Sequence, residues 1–132
     1  MSYKELLKNS LFENSPMVVF VWSNKNSWII EGTTNNSEKI FGYEQNYFLN
    51  NTVTYIELIH CDDIATVEQE ITQLTNTDIN NIIHKPYRIR DKFNNYKWVQ
   101  TTTTIQKNEI GEITHFIGYV QDITNQILEK KN

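Results

Sequence analysis

The segment that decides the fold spans residues 96–124 and reads YKWVQTTTTI (96–105), KNEIGE (107–112), ITHFIGYVQ (113–121) and DIT (122–124). Its two long runs are rich in β-branched and aromatic residues, which is typical of strands. A glycine-containing turn separates the runs, and the second run passes directly into a helix start. A sheet whose last strand continues into an outgoing helix favours a sensory role over an enzymatic one.

The composition limits the class of protein. The chain has 132 residues, of which 39% are hydrophobic, so it is long enough for one domain with its own core. Its net charge of −4 argues against a nucleic-acid partner or direct contact with an anionic membrane. No apolar run approaches the ~20 residues that a membrane span requires. The lone Cys61 cannot form an internal disulfide, which favours a cytoplasmic location.

The first part of the chain predicts a helix and two strands. Apolar residues at helical spacing indicate an amphipathic helix over residues 1–15, which ends before Pro16. Two extended segments follow, at residues 17–22 and 28–33, and a polar cluster separates them. We therefore expect a flanking helix followed by a pair of strands.

The central part predicts short helices with recognisable ends. Asn35 and Glu38 have the spacing of a capping box, and Gly42 offers the left-handed residue that ends a helix. Thr54 and Glu57 repeat the capping spacing. We therefore expect two helix starts in residues 35–59.

A longer helix and the remaining strands follow. Asp62 or Asp63 is positioned to cap this helix, whose predicted apolar face consists of Ile64, Val67, Ile71 and Leu74. Three strands are then predicted at residues 82–90, 96–106 and 113–121. Pro86 cannot donate to a strand ladder, so the first of these strands lies at an edge or is bulged there.

Alternation along the strands predicts two faces of the sheet. The inner face carries Tyr87, Ile89, Val99, Thr101, Thr103, Phe116, Gly118 and Val120. The outer face carries Arg88, Arg90, Trp98, Gln100, Thr102, Ile117 and Tyr119, joined by Val19 and Val21. The outer face is therefore apolar as well and requires a cover. We expect the first helix, alone or together with a partner subunit, to cover this face. Homodimerisation is therefore expected. The expected contacts are Leu6, Leu7, Leu11, Val19, Val21, Trp98, Ile117 and Tyr119.

Several short motifs occur in a characteristic order. They are Gly42-Tyr43, Ile59-His60-Cys61-Asp62-Asp63, the strand Tyr87–Arg90, the turn Lys92-Phe93-Asn94, the pair Trp98-Val99, Gly118, and Asp122-Ile123-Thr124. In this order the motifs resemble the PAS sensory domains of bacterial signalling proteins, over about residues 11–127. Cys61 replaces a proline of the family, and Phe93-Asn94 replaces Asp-Gly. Asn94 preserves the turn because asparagine tolerates positive φ.

The resemblance implies an α+β PAS fold. The expected architecture is a five-stranded antiparallel sheet with short helices on one face and an N-terminal flanking helix on the other. Residues 1–15 would form the flanking helix, 16–122 the core and 123–132 the start of the exit helix. The implied ligand pocket consists of Phe41, Ile56, Ile59, Ile64, Val67, Tyr87, Ile89, Val99, Thr101, Thr103, Phe116 and Gly118.

The resemblance also implies a function. In the family, the state of a bound ligand is relayed through the last strands to the exit helix, which drives an effector such as a histidine kinase or a diguanylate cyclase. Asp122, Ile123 and Thr124 are the implied relay residues, and the effector would belong to the same polypeptide. The alternative is a ligand-free module for protein interaction or dimerisation.

Candidate cofactor sites are weak in the sequence, and the identity of any cofactor stays open. We expect no metal at His60, Asp62 and Asp63, since adjacent residues at a helix start do not converge on one ion without further ligands, and helix caps account for both aspartates. Neighbouring side chains diverge, which argues against Cys61 and His60 as a nucleophile–base pair. Residues 50–54 lack the cysteine of light-sensing relatives, which disfavours covalent flavin. Non-covalent flavin stays open, although Trp98 is on the outer parity.

The other polar residues have ordinary interpretations. His60, His84 and His115 are predicted at the surface or its boundary, which disfavours haem. The hydroxyls of Thr101 and Thr103 serve either a ligand or nearby backbone groups. Arg88 and Arg90 are predicted on a solvated face. A small cone-type isomerase or hydratase would need a buried Asp–His or Tyr–Asp pair, and the inner face offers neither, so no catalytic residue is expected.

Overall fold

The computed structural model of the chain describes residues 15–25 and 28–130. The predicted helix of residues 1–15 lies outside this part except for Ser15, as do its predicted contact residues Leu6, Leu7 and Leu11. The described strands are β1 (Met17–Ser23), β2 (Ile30–Thr33), β3 (Asn81–Ile83), β4 (Tyr87–Arg90), β5 (Tyr96–Lys107) and β6 (Ile113–Asp122). The helices are α1 (Glu38–Phe41), α2 (Gln45–Asn50), a 3-10 turn (Ile56–Leu58), α3 (Ile64–Thr75) and α4 (Thr124–Lys130).

The strands form one antiparallel sheet with the order β2-β1-β6-β5-β3, and β4 also pairs with β5. The antiparallel architecture predicted from the sequence is confirmed. The predicted strand at residues 82–90 is divided in two, because Pro86 lies between β3 and β4. The preceding amide, Lys85 N, leaves the sheet and donates to Glu70 Oε2 at 3.0 Å. The sheet therefore has six strands instead of the five predicted.

Two tight turns follow the prediction. Gly42 ends α1 with φ +78°, and its amide donates to the carbonyl of Glu38. Asn94 has φ +64° in the turn between β4 and β5. The carboxylate of Asp91 accepts hydrogen bonds from the amides of Phe93 and Asn95 across this turn, both at 2.9 Å. Both positions thus carry residues that tolerate left-handed backbone.

Both predicted capping boxes are wrong. Helix α1 begins at Glu38, so this residue is first in the helix instead of third, and Asn35 does not cap it. Thr54 instead forms an isolated bridge with Ile29, and only a single 3-10 turn follows it. Side chains in short helical turns find partners outside the helix, and local spacing does not reveal those partners.

The core lies between the inner face of the sheet and the helices. The predicted inner residues of β4, β5 and β6 are all buried, and Val67, Ile71 and Leu74 cover them from α3. Strand β1 adds Phe20 and Trp22, which alternation alone did not assign. On the outer face, Val19 and Val21 pack with Ile117 and Tyr119 in a second, smaller cluster. Both faces of the sheet are therefore apolar, as predicted.

The length and hydropathy of the helices decide whether any of them could span a membrane. None of the helices over residues 15–25 and 28–130 has the length and apolar character needed to cross a bilayer.

Candidate functional site

Trp22 occupies the interior above strand β6. Its indole stacks on the Tyr55 ring with centroids 4.6 Å apart and an angle of 6° between the ring planes. A Cβ added to Gly118 would lie 2.4 Å from Cζ3 and Cη2 of Trp22. Gly118 is thus on the inner face, but the space above it is filled by the indole. The sequence pattern had indicated only Trp98 as a possible stacking residue, so Trp22 was missed.

A chain of buried hydroxyl groups lies beside this stack. Tyr55 and Tyr87 are hydrogen-bonded through their hydroxyls at 2.7 Å, and Thr101 Oγ1 donates to the Tyr87 hydroxyl at 2.8 Å. Burial raises the pKa of Tyr87 to about 12 and raises the pKa of Tyr55 well above its usual value. Both phenols are therefore protonated donors at neutral pH. The hydroxyl of Thr101 serves a tyrosine instead of the backbone.

A histidine and a carboxylate meet at the junction between α3 and the sheet. His84 is 2% exposed, which contradicts its predicted surface position. Its Nε2 lies 2.7 Å from Thr103 Oγ1, and its Nδ1 lies 3.2 Å from Glu70 Oε1. Burial lowers the pKa of His84, and the hydrogen bond with Glu70 opposes this shift.

The histidine–carboxylate pair corrects the prediction that the interior holds neither group. Both ring nitrogens of His84 already have partners, and Glu70 also accepts from Lys85 N. The pair therefore connects α3 to the sheet and does not present a free acid or base. Glu70 was missed because a carboxylate on α3 reaches the sheet only through the packing of the helix.

Helix α4, the predicted exit helix, is attached to two strands. Asp122 Oδ1 accepts hydrogen bonds from Thr124 N at 2.9 Å and from Thr124 Oγ1 at 2.7 Å. Thr124 Oγ1 in turn accepts from Trp98 N at 3.0 Å, and Ile123 N donates to Trp98 O at 2.9 Å. The three predicted relay residues thus lie together, and each is linked directly or through its neighbour to Trp98 on β5.

Trp98 also touches an ion pair on the outer face. The Arg88 guanidinium lies 5.2 Å from the Trp98 ring centroid and donates to both carboxylate oxygens of Asp63 at 3.0 Å. Arg88 N adds a third bond to Asp63 at 2.8 Å. The side-chain hydrogen bonds from Arg88 are the main cause that lowers the pKa of Asp63. Arg88 is thus half-buried in an ion pair on the outer face, whereas Arg90 is exposed. Asp63 stands at the N-cap of α3 as predicted, but its side chain makes no cap hydrogen bond.

His60, Cys61 and Asp62 lie closer together than predicted. One possible ligand atom from each lies within 4.8 Å of the others, so the argument that these neighbours diverge is wrong. However, His60 Nδ1 accepts from Asp62 N at 3.0 Å, and Arg88 Nη2 lies 3.9 Å from Asp62 Oδ2. Cys61 is exposed. His60 Nδ1 and Asp62 Oδ2 thus already have local contacts.

The predicted pocket residues lie in the core and beside a groove at its edge. Ten of the twelve are buried in the core or on the inner face of the sheet: Phe41, Ile59, Val67, Tyr87, Ile89, Val99, Thr101, Thr103, Phe116 and Gly118. Ile56 and Ile64 are half-buried, and with Ile59 they line a groove of about 310 Å³ together with His60, Arg90 and Tyr96. This groove is open to solvent.

The chain is similar in sequence to a protein that is named as a sensor. A curated relative, the methyl sulfide methyltransferase-associated sensor of Methanosarcina acetivorans, is 28% identical over 116 residues. This alignment covers 88% of the chain but only 11% of the relative, so the chain spans about a tenth of that protein's length.

Two solved structures share the fold. The PAS domain of a protein from Colwellia psychrerythraea has a TM-score of 0.73 at 16% identity, covering 88% of this chain and 93% of that one. A sensory box histidine kinase/response regulator from Burkholderia thailandensis has a TM-score of 0.70 at 22% identity, with 91% and 86% covered. A family model described as PAS fold matches residues 32–120, which is more than half of the chain. The chain therefore belongs to the PAS fold family.

Proposed function

We propose that this PAS domain is a sensory and dimerisation module that relays its state through Asp122, Ile123 and Thr124 to a downstream effector. The observation that carries the proposal is that the start of α4 is hydrogen-bonded to both the backbone amide and the backbone carbonyl of Trp98. A movement of β5 relative to β6 changes these bonds directly. The first turn of the exit helix is thus the place where a change in the sheet reaches the rest of the polypeptide.

The magnitudes suit a relay. Loss of a side-chain cap at a helix start costs about 0.5–2 kcal/mol. Coupling between two sites in allosteric proteins is typically about 1–3 kcal/mol. The bonds among Asp122, Thr124 and Trp98 are therefore strong enough to bias the exit helix and weak enough to be broken by an input.

In this proposal, a second set of contacts connects α3 to Trp98. Asp63 immediately precedes α3, and Arg88 joins it to the Trp98 ring across β4. Arg88 and Trp98 are also directly opposite each other in the strand ladder. A shift of α3 is thereby transmitted to the strand residue that holds the exit helix.

The effector and the partner subunit belong to the proposal as well. We infer that the effector is a histidine kinase or a diguanylate cyclase in the same polypeptide. The name of the Methanosarcina relative, a sensor, and that of the Burkholderia protein support a signalling role. Homodimerisation through the outer face is supported by Ile117, Tyr119 and Trp98, which are apolar and only half-buried there. Val19 and Val21 lie beneath them and are already buried. The free, exposed thiol of Cys61 is consistent with a reducing, cytoplasmic location.

One observation favours the alternative of a ligand-free adaptor. The Trp22 indole fills the space above Gly118 and stacks on Tyr55, so side chains occupy part of the interior in which a ligand would bind. In that case the domain would respond to a partner protein instead of a small molecule. The relay through α4 serves both versions.

The experiment joins residues 1–132 to an output domain and measures its activity with the substitution Asp122→Ala. We expect output to lose its dependence on the sensory domain while the domain stays folded by circular dichroism. Asp78→Ala, at an exposed position, is the matched control and should leave regulated output unchanged. Regulated output from the Asp122→Ala protein at the level of this control would contradict the proposal.

A further inference from the structure

His84 is a buried base held between a helix and the sheet. Its Nδ1 faces Glu70 Oε1 on α3 at 3.2 Å, and its Nε2 faces Thr103 Oγ1 on β5 at 2.7 Å. The backbone of His84 is fixed to β5 as well, since its amide donates to the carbonyl of Thr101 and its carbonyl accepts from Gln100 Nε2. The ring therefore bridges α3 and β5.

The partners of the ring decide which nitrogen carries the proton. An ionised carboxylate can only accept, and Glu70 already accepts from Lys85 N at 3.0 Å through its other oxygen. Nδ1 of the neutral ring is therefore the donor to Glu70. Nε2 is then the acceptor, and the Thr103 hydroxyl donates to it. This single tautomer satisfies both ring nitrogens.

A second proton on the ring reverses one of these two bonds. The charged imidazole carries an N–H on both nitrogens, so Nε2 becomes a donor and Thr103 Oγ1 has to accept from it. The hydroxyl proton of Thr103 must then point to a different acceptor. The bond to Glu70 keeps its direction and becomes stronger, because both partners are charged. Uptake of one proton thus strengthens the contact with α3 and rearranges the contact with β5.

The charges around the ring suit this proton. In the described part of the chain, Glu70 is the charged group that raises the pKa of His84, against the larger lowering by burial. From β4, the Tyr87 ring packs edge-on with centroids 6.2 Å apart, and burial raises the pKa of Tyr87 to about 12, so this phenol is uncharged. Strand β5 contributes the uncharged Thr103, and Lys85 is exposed. A protonated His84 is therefore paired with a carboxylate across the interface with α3.

We propose that His84 is a proton sensor, whose protonation reverses its hydrogen bond with Thr103 and changes the position of β5 relative to α3. Strand β5 also carries Trp98, to which the start of α4 is hydrogen-bonded. The residue before α3, Asp63, is connected to the same tryptophan through Arg88. The inference rests on the proposed relay for its biological use, because acidification would be the input.

The test follows the ring nitrogens of the ¹⁵N-labelled 132-residue chain by nuclear magnetic resonance from about pH 7.5 to about pH 5, a range that includes the usual histidine pKa of about 6.5. The backbone amide of Trp98 reports on the relay. At the upper pH we expect the His84 proton on Nδ1. As pH falls, Nε2 should take up a proton, and the Trp98 amide should shift with the same midpoint.

Three results would overturn the proposal. The first is a His84 ring that carries its proton on Nε2 at the upper pH, because Thr103 would then not donate to it. The second is a ring that stays neutral until the domain unfolds. The third is a ring that titrates without any response at the Trp98 amide.

Two substitutions on α3 test the pairing with Glu70. Glu70→Gln removes the carboxylate that favours the charged ring, so the midpoint of His84 should move to lower pH. Glu68→Gln, at an exposed position on the same helix, changes the net charge equally and should leave the midpoint where it is. Equal midpoints in the two variants would contradict the pairing.

Two further variants test the transmission to β5. His84→Gln supplies one amide donor and one amide acceptor but cannot take up a proton, so the Trp98 amide should no longer respond to pH. In Thr103→Val, His84 should still titrate, but the response of the Trp98 amide should be largely lost. A Trp98 response that survives in His84→Gln would assign it to another group. A full response in Thr103→Val would contradict the reversal of this bond.

The sensor and the relay can fail separately. The titration uses no output domain, and Asp122→Ala should leave the midpoint of His84 unchanged. Titration of His84 with a response at Trp98, but with output that Asp122→Ala does not alter, would reject the relay alone. Normal Asp122-dependent output with a His84 ring that does not titrate would reject this inference alone.

Discussion

The side chain of Thr124 accepts a hydrogen bond from the backbone amide of Trp98 at 3.0 Å, so the first residue of the exit helix is bound to β5 as well as to β6. Ile123 N returns a bond to the carbonyl of the same tryptophan. Strand β5 also supplies Thr101 and Thr103 to the interior. One strand therefore touches both the buried polar groups and helix α4.

Removal of the Thr124 hydroxyl should loosen α4. Thr124→Val keeps the shape of the side chain but loses the bonds with Trp98 N and Asp122 Oδ1. We expect the free energy of unfolding to fall by about 0.5–2 kcal/mol, the range for a lost cap. Urea denaturation gives this value, and amide exchange at Trp98 should become faster. Thr102→Val, a half-buried outer position, is the control, and an equal loss in both variants would argue against a special role for Thr124.

Removal of the Arg88 guanidinium should change how stability depends on acid. The pKa of Asp63 is lowered mainly by the hydrogen bonds from Arg88. A carboxylate with a lowered folded pKa stabilises the protein above its unfolded pKa, and this contribution disappears as pH falls through the folded value. We expect Arg88→Met to reduce stability at pH 7 by about 1 kcal/mol or less, since the pair is partly exposed.

The contribution of Arg88 is tested by measuring the free energy of unfolding at a series of pH values. The difference in stability between the unmodified chain and Arg88→Met should shrink as pH falls from about 5 toward 3. Arg90→Met, at an exposed position, should lose little at any pH. A difference that stays constant over this range would show that Asp63 does not depend on Arg88.

His84 should make the domain sensitive to mild acid. Burial lowers the pKa of His84 below its usual value of 6.5, so the unfolded chain takes up the proton first. Stability is therefore full above about pH 6.5 and declines as pH falls from there toward the folded pKa. One proton limits the slope to about 1.4 kcal/mol per pH unit.

The measurement for His84 is the slope of unfolding free energy between pH 7 and pH 5. His84→Gln should be less stable at pH 7 but flatter over this interval. His60→Gln is the control, because His60 lies at the surface loop and is only half-buried. A steep slope that survives in His84→Gln would assign the acid sensitivity to another group.

A methyl group at position 118 should clash with the indole. In Gly118→Ala the new Cβ meets Trp22 Cζ3 and Cη2 at 2.4 Å, and a rigid ring cannot move by a simple rotation of its end. We expect a loss of about 1–3 kcal/mol, as for other overpacked cores. The double variant with Trp22→Phe should recover part of this loss in thermal or urea unfolding. If the loss of stability in the double variant equals the sum of the losses in the two single variants, the two residues do not interact sterically.

The sequence predicted most where a pattern offers only two choices. A strand has two faces, so a few apolar positions in β5 and β6 were enough to assign Thr101, Thr103 and Phe116 to the interior. In β1, the run MVVFVW is apolar at every position. Val19 and Val21 were assigned to the outer face, but no polar neighbour marked Trp22 as an inner residue, and it was missed.

The wrong predictions share a physical cause. Asp63 stands at a helix start, where local spacing favours a cap, but its carboxylate forms stronger bonds with a guanidinium that is distant in sequence. His84 and Glu70 meet because α3 packs on the sheet, and this contact depends on the tertiary register of the helix. Local rules cannot choose among distant partners, and the candidate site is built from such partners.

The contact between Trp22 and Gly118 also means that the volume of the interior is shared by two positions. A descendant of this chain that replaced the tryptophan with a smaller residue would gain room for a guest, and position 118 would then tolerate a side chain. The two substitutions compensate each other in size, so we expect them to change together in evolution. A larger side chain at position 118 on β6 can thus compensate for a smaller one at position 22 on β1, and such paired changes are a simple means by which new ligand specificities arise in the same fold.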